Sequence, residues 1–254
     1  MTIGPFEIRR GEPGFRRNQL VVPRPGVVRA DVEDDFHHFW VEIVHDGERV
    51  LDLSTQAVRW PWTTCPSAGA FLAERLRGQR LDSLAEVDSA LLHCTHQHDL
   101  ALLAAAHAQD MHPTLYSSFA GDRRSPALSA ELYRNRSLLL SWEIAESQIV
   151  SPGPGQGKSL RQLRTWAAGL SPDLHEAALM LRRTVFIAGG REFNFGQTLT
   201  ADKVTQSAGA CFTFQPGRSA QSRLNVQLRD FSHGDVPLQA RIEEINAADQ
   251  VRMT

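Results

Sequence analysis

Two alternating segments joined by an Asp-Gly turn constrain the fold of this chain more than any other feature. The segments FHHFWVEIV, from Phe36, and RVLDLSTQ, from Arg49, alternate apolar and polar residues on either side of Asp46-Gly47. A period of two is the pattern of a half-buried β-strand, and Asp-Gly is a strong hairpin signal. The sequence therefore predicts an antiparallel hairpin over residues 36–56, with His37 on its apolar face.

Helix signals follow the hairpin. The first predicted helix begins at Pro66, directly after Cys65, and ends near Gly78, because proline suits the first turn and glycine suits the end. Ser83 and Glu86 have the spacing of a capping box for a second helix, and Thr95 is a good N-cap for a third. We expect an α+β fold, a small antiparallel β-sheet with about five or six packed α-helices.

The two ends of the chain predict different organisation. Residues 1–30 are rich in Arg and Pro, and we expect an N-terminal arm there with no more than a short strand. We expect residues 31–254 to form a single α+β domain. Within it, residues 117–136 predict a loop or short helix, and the segments AGACFTF and LNVQLRDF predict short strands.

Composition limits the classes of function. The 254 residues are 42% hydrophobic and 22% charged, with a formal net charge of −2 and no run of Lys and Arg, so we expect no nucleic-acid partner. No apolar run approaches the ~18–20 residues that a membrane span needs, and no leader is evident. Three cysteines argue against a disulfide framework. We expect a cytoplasmic protein that acts on a small molecule, with its oligomeric state open.

A Cys/His constellation gives the chain a candidate site. Cys65 precedes a predicted helix, whose N-terminus would lower the pKa of its thiol. Cys94 and His96 flank Thr95 in the segment HCTHQHD, and they point the same way if Thr95 is an extended N-cap. With His37 these residues offer two thiols and two imidazoles. That set suits zinc, and Cys211 can replace one member. Iron, or no metal, stays open.

The same positions resemble an uncharacterised bacterial family that is defined only as a domain of unknown function. The resemblance lies in a strand His, a Cys-Pro, a Cys-Thr-His and a late Cys. These features fall on His37, Cys65-Pro66, Cys94-Thr95-His96 and Cys211. The resemblance covers residues 29–110 and a short piece near 211. Residues 120–200 have no counterpart in the family. The resemblance implies that these positions form one site, and it implies no reaction.

The leading functional hypothesis is a metal-dependent hydrolase or lyase. Its ligands would be His37, Cys65, Cys94 and His96, and its substrate an apolar, aromatic or acyl molecule bearing an anionic group. His98 or Asp99 would carry the proton, and Arg59 or Arg191 would pair with the anionic group. Trp62, with Trp60, would wall the pocket.

Two alternatives keep the same residues. In the first, Cys65 or Cys94 is a thiolate nucleophile in a metal-free enzyme of acyl or thioester chemistry, with His96 or His37 as its base. In the second, the protein is a binding or accessory protein, and a closed Cys/His metal site only stabilises the fold.

Overall fold

One large β-sheet dominates the part of the chain that the structure describes. The structure is a computed structural model and describes residues 6–122, 127–193 and 199–252. Within these residues the sheet has eight strands in the order β4-β3-β2-β1-β5-β6-β7-β8. The strands are β1 (Gly14–Arg24), β2 (Val27–Asp34), β3 (His38–His45), β4 (Val50–Arg59), β5 (Thr114–Gly121), β6 (Leu128–Arg134), β7 (Ser137–Ala145) and β8 (Gln148–Ile149).

Six α-helices accompany this sheet in the described residues. They are α1 (Ala68–Leu76), α2 (Leu84–Val87), α3 (Thr95–Ala106), α4 (Leu163–Ala167), α5 (Pro172–Ala188) and α6 (Gln239–Arg252). The predicted fold class, a small antiparallel sheet under five or six helices, is therefore wrong, because a single eight-stranded sheet is the main element. None of the helices in the described ranges combines the length and the apolarity that crossing a membrane requires.

The described residues divide into two compact units. Unit one contains residues 19–114 and 199–229, with β2–β4 and α1–α3. Unit two contains residues 6–18, 115–122, 127–193 and 230–252, with β6–β8 and α4–α6; β1 contributes residues to both units. The boundary predicted between residues 30 and 31 falls inside β2.

The predicted hairpin is confirmed as β3 and β4 of unit one. These strands pair antiparallel, and Gly47 in their turn has φ +101°, a conformation that glycine adopts without strain. Phe39, Val41 and Ile43 are fully buried. Helix α3 packs on β2 and β3, so this apolar face and the helix together form the core that positions the candidate site.

The predicted starts and caps of the helices in unit one differ from those in the structure. The N-cap of α1 is Ser67, so Cys65 lies in the preceding turn, where its amide donates to the carbonyl of Trp62 at 2.9 Å. The N-cap of α3 is Cys94, not Thr95. Ser83 is the N-cap of α2, but its side chain makes no capping hydrogen bond, so the predicted capping box does not form.

Three segment predictions are wrong. The polar stretch 117–136, predicted as a loop or short helix, contributes to β5 and β6. The predicted late strand AGACFTF instead contains a short 3-10 turn, Phe212–Phe214, and LNVQLRDF forms no named strand in this described segment. In unit two, the segment from Pro172 to the Gly189-Gly190 pair forms α5, as proline in a first turn and glycine after the last turn indicate.

Candidate metal centre

The tight turn between β2 and β3 carries two side chains of the candidate centre. The amide of Asp34 donates to the carbonyl of His37 at 2.9 Å, which closes the turn around Asp35-Phe36. The Asp34 carboxylate oxygen Oδ1 accepts hydrogen bonds from the amides of Phe36, at 2.9 Å, and His37, at 2.8 Å. Aspartate favours such turns because its side chain can bond the backbone two or three residues ahead. The carboxylate is therefore held next to His37.

The His37 ring is oriented by that same carboxylate. Its Nδ1 lies 2.9 Å from Asp34 Oδ1. An ionised carboxylate only accepts hydrogen bonds, so in the absence of a metal the hydrogen of this contact is on Nδ1. A ring nitrogen and a carboxylate oxygen at this distance are close enough to be ligands of one metal ion.

His96, on the first turn of α3, completes the group. Its ring stacks on His37 with centroids 3.8 Å apart and planes inclined by 27°, and Phe39 lies alongside it at 5.7 Å. His96 is 9% exposed, His37 is 8% exposed, and Asp34 is fully buried. The core packing of α3 thus delivers an imidazole to the β2–β3 turn.

Together these side chains could hold a metal ion. One ligand atom from each of Asp34, His37 and His96 lies within 4.8 Å of the other two, and all three residues are buried. Two of the four predicted ligands, His37 and His96, are members of this cluster. The third member is Asp34, which the sequence reasoning missed.

Arg59, at the end of β4, supports the turn that holds Asp34 and His37. Its guanidinium donates to the backbone carbonyls of Asp34, Asp35 and His37, and it pairs with the Glu33 carboxylate at 3.2 Å. Arg59 is 7% exposed. The structure places it as a support of the site's turn, and the substrate contact predicted for it stays a prediction.

The cysteines predicted as ligands lie outside this three-residue cluster. Burial raises the pKa of the Cys65 thiol from 9.0 to about 12. Burial, followed by the nearby Cys65 and Cys211, raises the pKa of Cys94 still more strongly. In the absence of a metal both groups are thiols at neutral pH. For Cys65 the shift is opposite to the one predicted from a helix N-terminus, because α1 begins only at Ala68 and the sulfur is buried.

A second pair of histidines packs nearby in α3 and the segment before it. His93 and His98 are buried, and their rings stack with centroids 5.0 Å apart. His93 Nε2 lies 3.5 Å from a carboxylate oxygen of Asp88, and burial lowers the pKa of His93 despite this carboxylate. These histidines are not solvated. Asp99, the other predicted proton carrier, is half-buried.

The remaining predicted substrate contacts are divided between the two units. Trp62 is half-buried in unit one, where its ring meets Phe214 edge-on at 5.5 Å. Arg191 belongs to unit two, and there its Nε donates to the Asp122 carboxylate at 2.8 Å. Their predicted roles toward a substrate, like those of His98 and Asp99, stay predictions.

The chain matches no model of a known protein family, and it matches no curated protein. The resemblance to an uncharacterised bacterial family stays a prediction. The geometry of the site is thus the basis for the functional proposal.

Proposed function

We propose that the chain is a metal-dependent enzyme of hydrolase or lyase type, with its metal centre at Asp34, His37 and His96. The observation that carries this proposal is the approach of three buried donors to within 4.8 Å. Two imidazoles and one carboxylate form a ligand set that catalytic zinc uses in hydrolases, and non-haem iron(II) uses it too. Zinc is the ion we propose, because hydrolysis and elimination need a Lewis acid without redox chemistry.

The protein residues would each do a separate task at this centre. His37 offers Nδ1, which lies 2.9 Å from Asp34 Oδ1, so a zinc ion bound between these two atoms would replace the hydrogen that now joins them. Asp34 offers its carboxylate as the second ligand, and the amides of Phe36 and His37 hold that carboxylate in place. His96 brings the third donor from α3. Three protein ligands leave one position of a four-coordinate zinc ion for a small molecule.

Bound zinc would polarise a substrate carbonyl or lower the pKa of a water molecule. The exposed surface of the cluster belongs to the two histidines, since Asp34 is fully buried. Phe36 and Phe39 lie about one ring away from His37, with centroids at 6.0 and 5.9 Å. These two buried rings make the surroundings of the centre apolar, and we therefore propose an apolar or acyl substrate.

Near-complete burial favours a second candidate function, a metal site that only stabilises the fold. The cluster joins the β2–β3 turn to the start of α3, and its histidines are less than a tenth exposed. An ion at this point would cross-link two elements of unit one. Structural zinc sites contribute folding free energy directly, so removing the ion would then unfold the protein.

The two candidates are separated by stripping the purified protein with a chelator and restoring zinc. An enzyme is supported if the stripped protein keeps a cooperative thermal melt but loses, and with zinc regains, hydrolysis of a panel of aryl and acyl esters. A structural site is supported if the stripped protein loses its melt. If zinc changes neither the melt nor the activity, both candidates are wrong. His112→Ala is the matched control, because His112 is exposed and lies outside the cluster.

A further inference from the structure

Three cysteines from separate segments approach one another in unit one. Cys65 lies in the turn before α1, Cys94 is the N-cap of α3, and Cys211 immediately precedes the Phe212–Phe214 turn. None of the three forms a disulfide. The amide of Phe212 donates to the carbonyl of His93 at 2.9 Å. This bond joins the residue after Cys211 to the residue before Cys94, so the two cysteines flank one backbone contact.

Two contacts hold Cys65 near the segments that carry Cys94 and Cys211. Its sulfur lies 3.7 Å from the hydroxyl oxygen of Thr213. On the other side, the Gln97 side chain donates to the carbonyl of Cys65 at 3.4 Å. Cys65 is therefore tied both to the Phe212–Phe214 turn and to the first turn of α3, the two segments that carry Cys211 and Cys94.

A chain of three hydroxyls leads to the Cys65 sulfur. The Thr64 hydroxyl lies 2.8 Å from that of Ser222 and 2.9 Å from that of Thr213. Ser222 and Thr213 are at most 1% exposed. A sulfur in an apolar core needs no such partner, whereas a metal-bound thiolate is stabilised by outer hydrogen-bond donors that also orient it.

We propose that Cys65, Cys94 and Cys211 form a second metal site, specific for a thiophilic ion such as Zn²⁺ or Cd²⁺ and separate from the Asp34–His37–His96 centre. Soft thiolate ligands select such ions over the hard cations that oxygen ligands prefer. Each thiol gives its proton to water as its sulfur–metal bond forms, so three protons leave per ion. Cys211 is half-buried and the other two cysteines are buried, so the ion would arrive at Cys211.

Binding requires the sulfurs to move closer together. Among the described residues, only Asp34, His37 and His96 have their donor atoms gathered within 4.8 Å. The thiol site would close by side-chain rotation at the three cysteines, with Thr213 as a positioning residue that donates to the Cys65 sulfur. Its existence does not depend on the function proposed for the histidine centre.

Cadmium titration of the full-length, reduced and chelator-stripped protein tests this site. Sulfur-to-cadmium charge transfer gives an ultraviolet absorption band that histidine and carboxylate ligands do not give. We expect this band to saturate at one ion per chain and to decrease clearly in Cys211→Ser, which changes a half-buried residue. Thr213→Val, which loses the outer donor, should bind cadmium about tenfold more weakly. His96→Ala should leave the band unchanged.

Two results would overturn the proposal. The first is a protein that melts cooperatively, has three thiols titratable by a disulfide reagent under denaturing conditions, and yet gives no cadmium band. The second is a band lost equally in His96→Ala, since the cysteines and histidines would then share one centre. Failure of the histidine centre alone is distinguishable, because zinc would then leave the ester assay unaffected while the cadmium band persists.

Discussion

The imidazole of His96 stacks on that of His37, with ring centroids 3.8 Å apart. His37 lies in the β2–β3 turn and His96 on the first turn of α3, so this contact exists only when the helix is docked on the sheet. A ligand that binds the folded state alone stabilises it by mass action. Metal binding at these rings and docking of α3 are therefore linked.

Asp34 holds the β2–β3 turn and also offers a zinc ligand, and the substitution Asp34→Asn separates these two roles. Asp34→Asn keeps an oxygen for the amides of Phe36 and His37, so we expect the fold to survive with a loss of about 1 kcal/mol. The amide carries no negative charge and is a poorer zinc ligand than the carboxylate, so zinc affinity should fall at least roughly 10–100-fold. Calorimetric titration with zinc and a chemical denaturation curve measure the two effects. Equal zinc affinity in Asp34→Asn and the parent would contradict the role given to Asp34.

Arg59 is expected to be important for stability because it holds the turn of the site. The side chains of Arg59 and Glu33 are 8% and 6% exposed. Removal of one partner from such a buried ion pair costs about 3–5 kcal/mol of stability. Urea unfolding of Arg59→Ala should show a loss of that order. The control is Arg77→Ala, whose ion pair with Asp52 is largely exposed and should matter little. Similar curves for the two variants would argue against a supporting role for Arg59.

Gly69 lies where α1 packs against β4. A Cβ atom at this position would lie 1.9 Å from the Thr55 hydroxyl oxygen, so Gly69→Ala should destabilise the fold by about 1–3 kcal/mol through overpacking. Adding Thr55→Ala should recover part of the loss. Gly189→Ala serves as the control, since nothing lies within 4 Å of its Cβ position. A neutral Gly69→Ala would show that α1 can shift on the sheet.

Because of Cys65, we expect the stability of the metal-free protein to decrease at alkaline pH. Burial raises the pKa of its thiol from 9.0 to about 12, so the folded state holds its proton over a range in which the unfolded state releases it. This contribution to stability is complete below pH 9 and is lost as pH rises from 9 to about 12. Thermal melts across that window should decline more steeply for the parent than for Cys65→Ala. Parallel declines would show that the thiol is not protected by burial.

The hairpin and the long helix α5 could be predicted from sequence because each has its own local signal. Alternation and Asp46-Gly47 specify β3 and β4, and Pro172 and Gly189 bracket α5. These elements bury one face and expose the other, so their periodicity is visible along the chain.

Strand β1 has no such periodicity, and this is why the size of the sheet was missed. Its residues from Gly14 to Val22 are all buried, although they include Arg16 and Asn18. Their side chains are satisfied by distant backbone carbonyls: Arg16 donates to Ile8 at 2.9 Å and Asn18 donates to Pro237 at 2.8 Å. Tertiary partners of this kind leave no pattern in the sequence around the strand.

The candidate site was predictable only in part for the same reason. His37 and His96 were identified because they combine with the cysteines in a Cys/His pattern, with His37 on a predicted apolar strand face and His96 in the segment HCTHQHD. Asp34 was missed, although an aspartate three residues before a histidine at a strand junction is a local signal for a turn that orients the ring. The separation of the cysteines from the histidines depends on the docking of α3 and of the Phe212–Phe214 turn, which only the fold determines.

Metal content of the purified, untagged protein, compared with that of His96→Ala, tests the central claim most directly. Mass spectrometry after expression with zinc and under reducing conditions should find at least one ion per parent chain, and one fewer per chain in His96→Ala. His112→Ala, an exposed histidine, should match the parent. Equal metal content in the parent and a folded His96→Ala would contradict a metal centre at Asp34, His37 and His96.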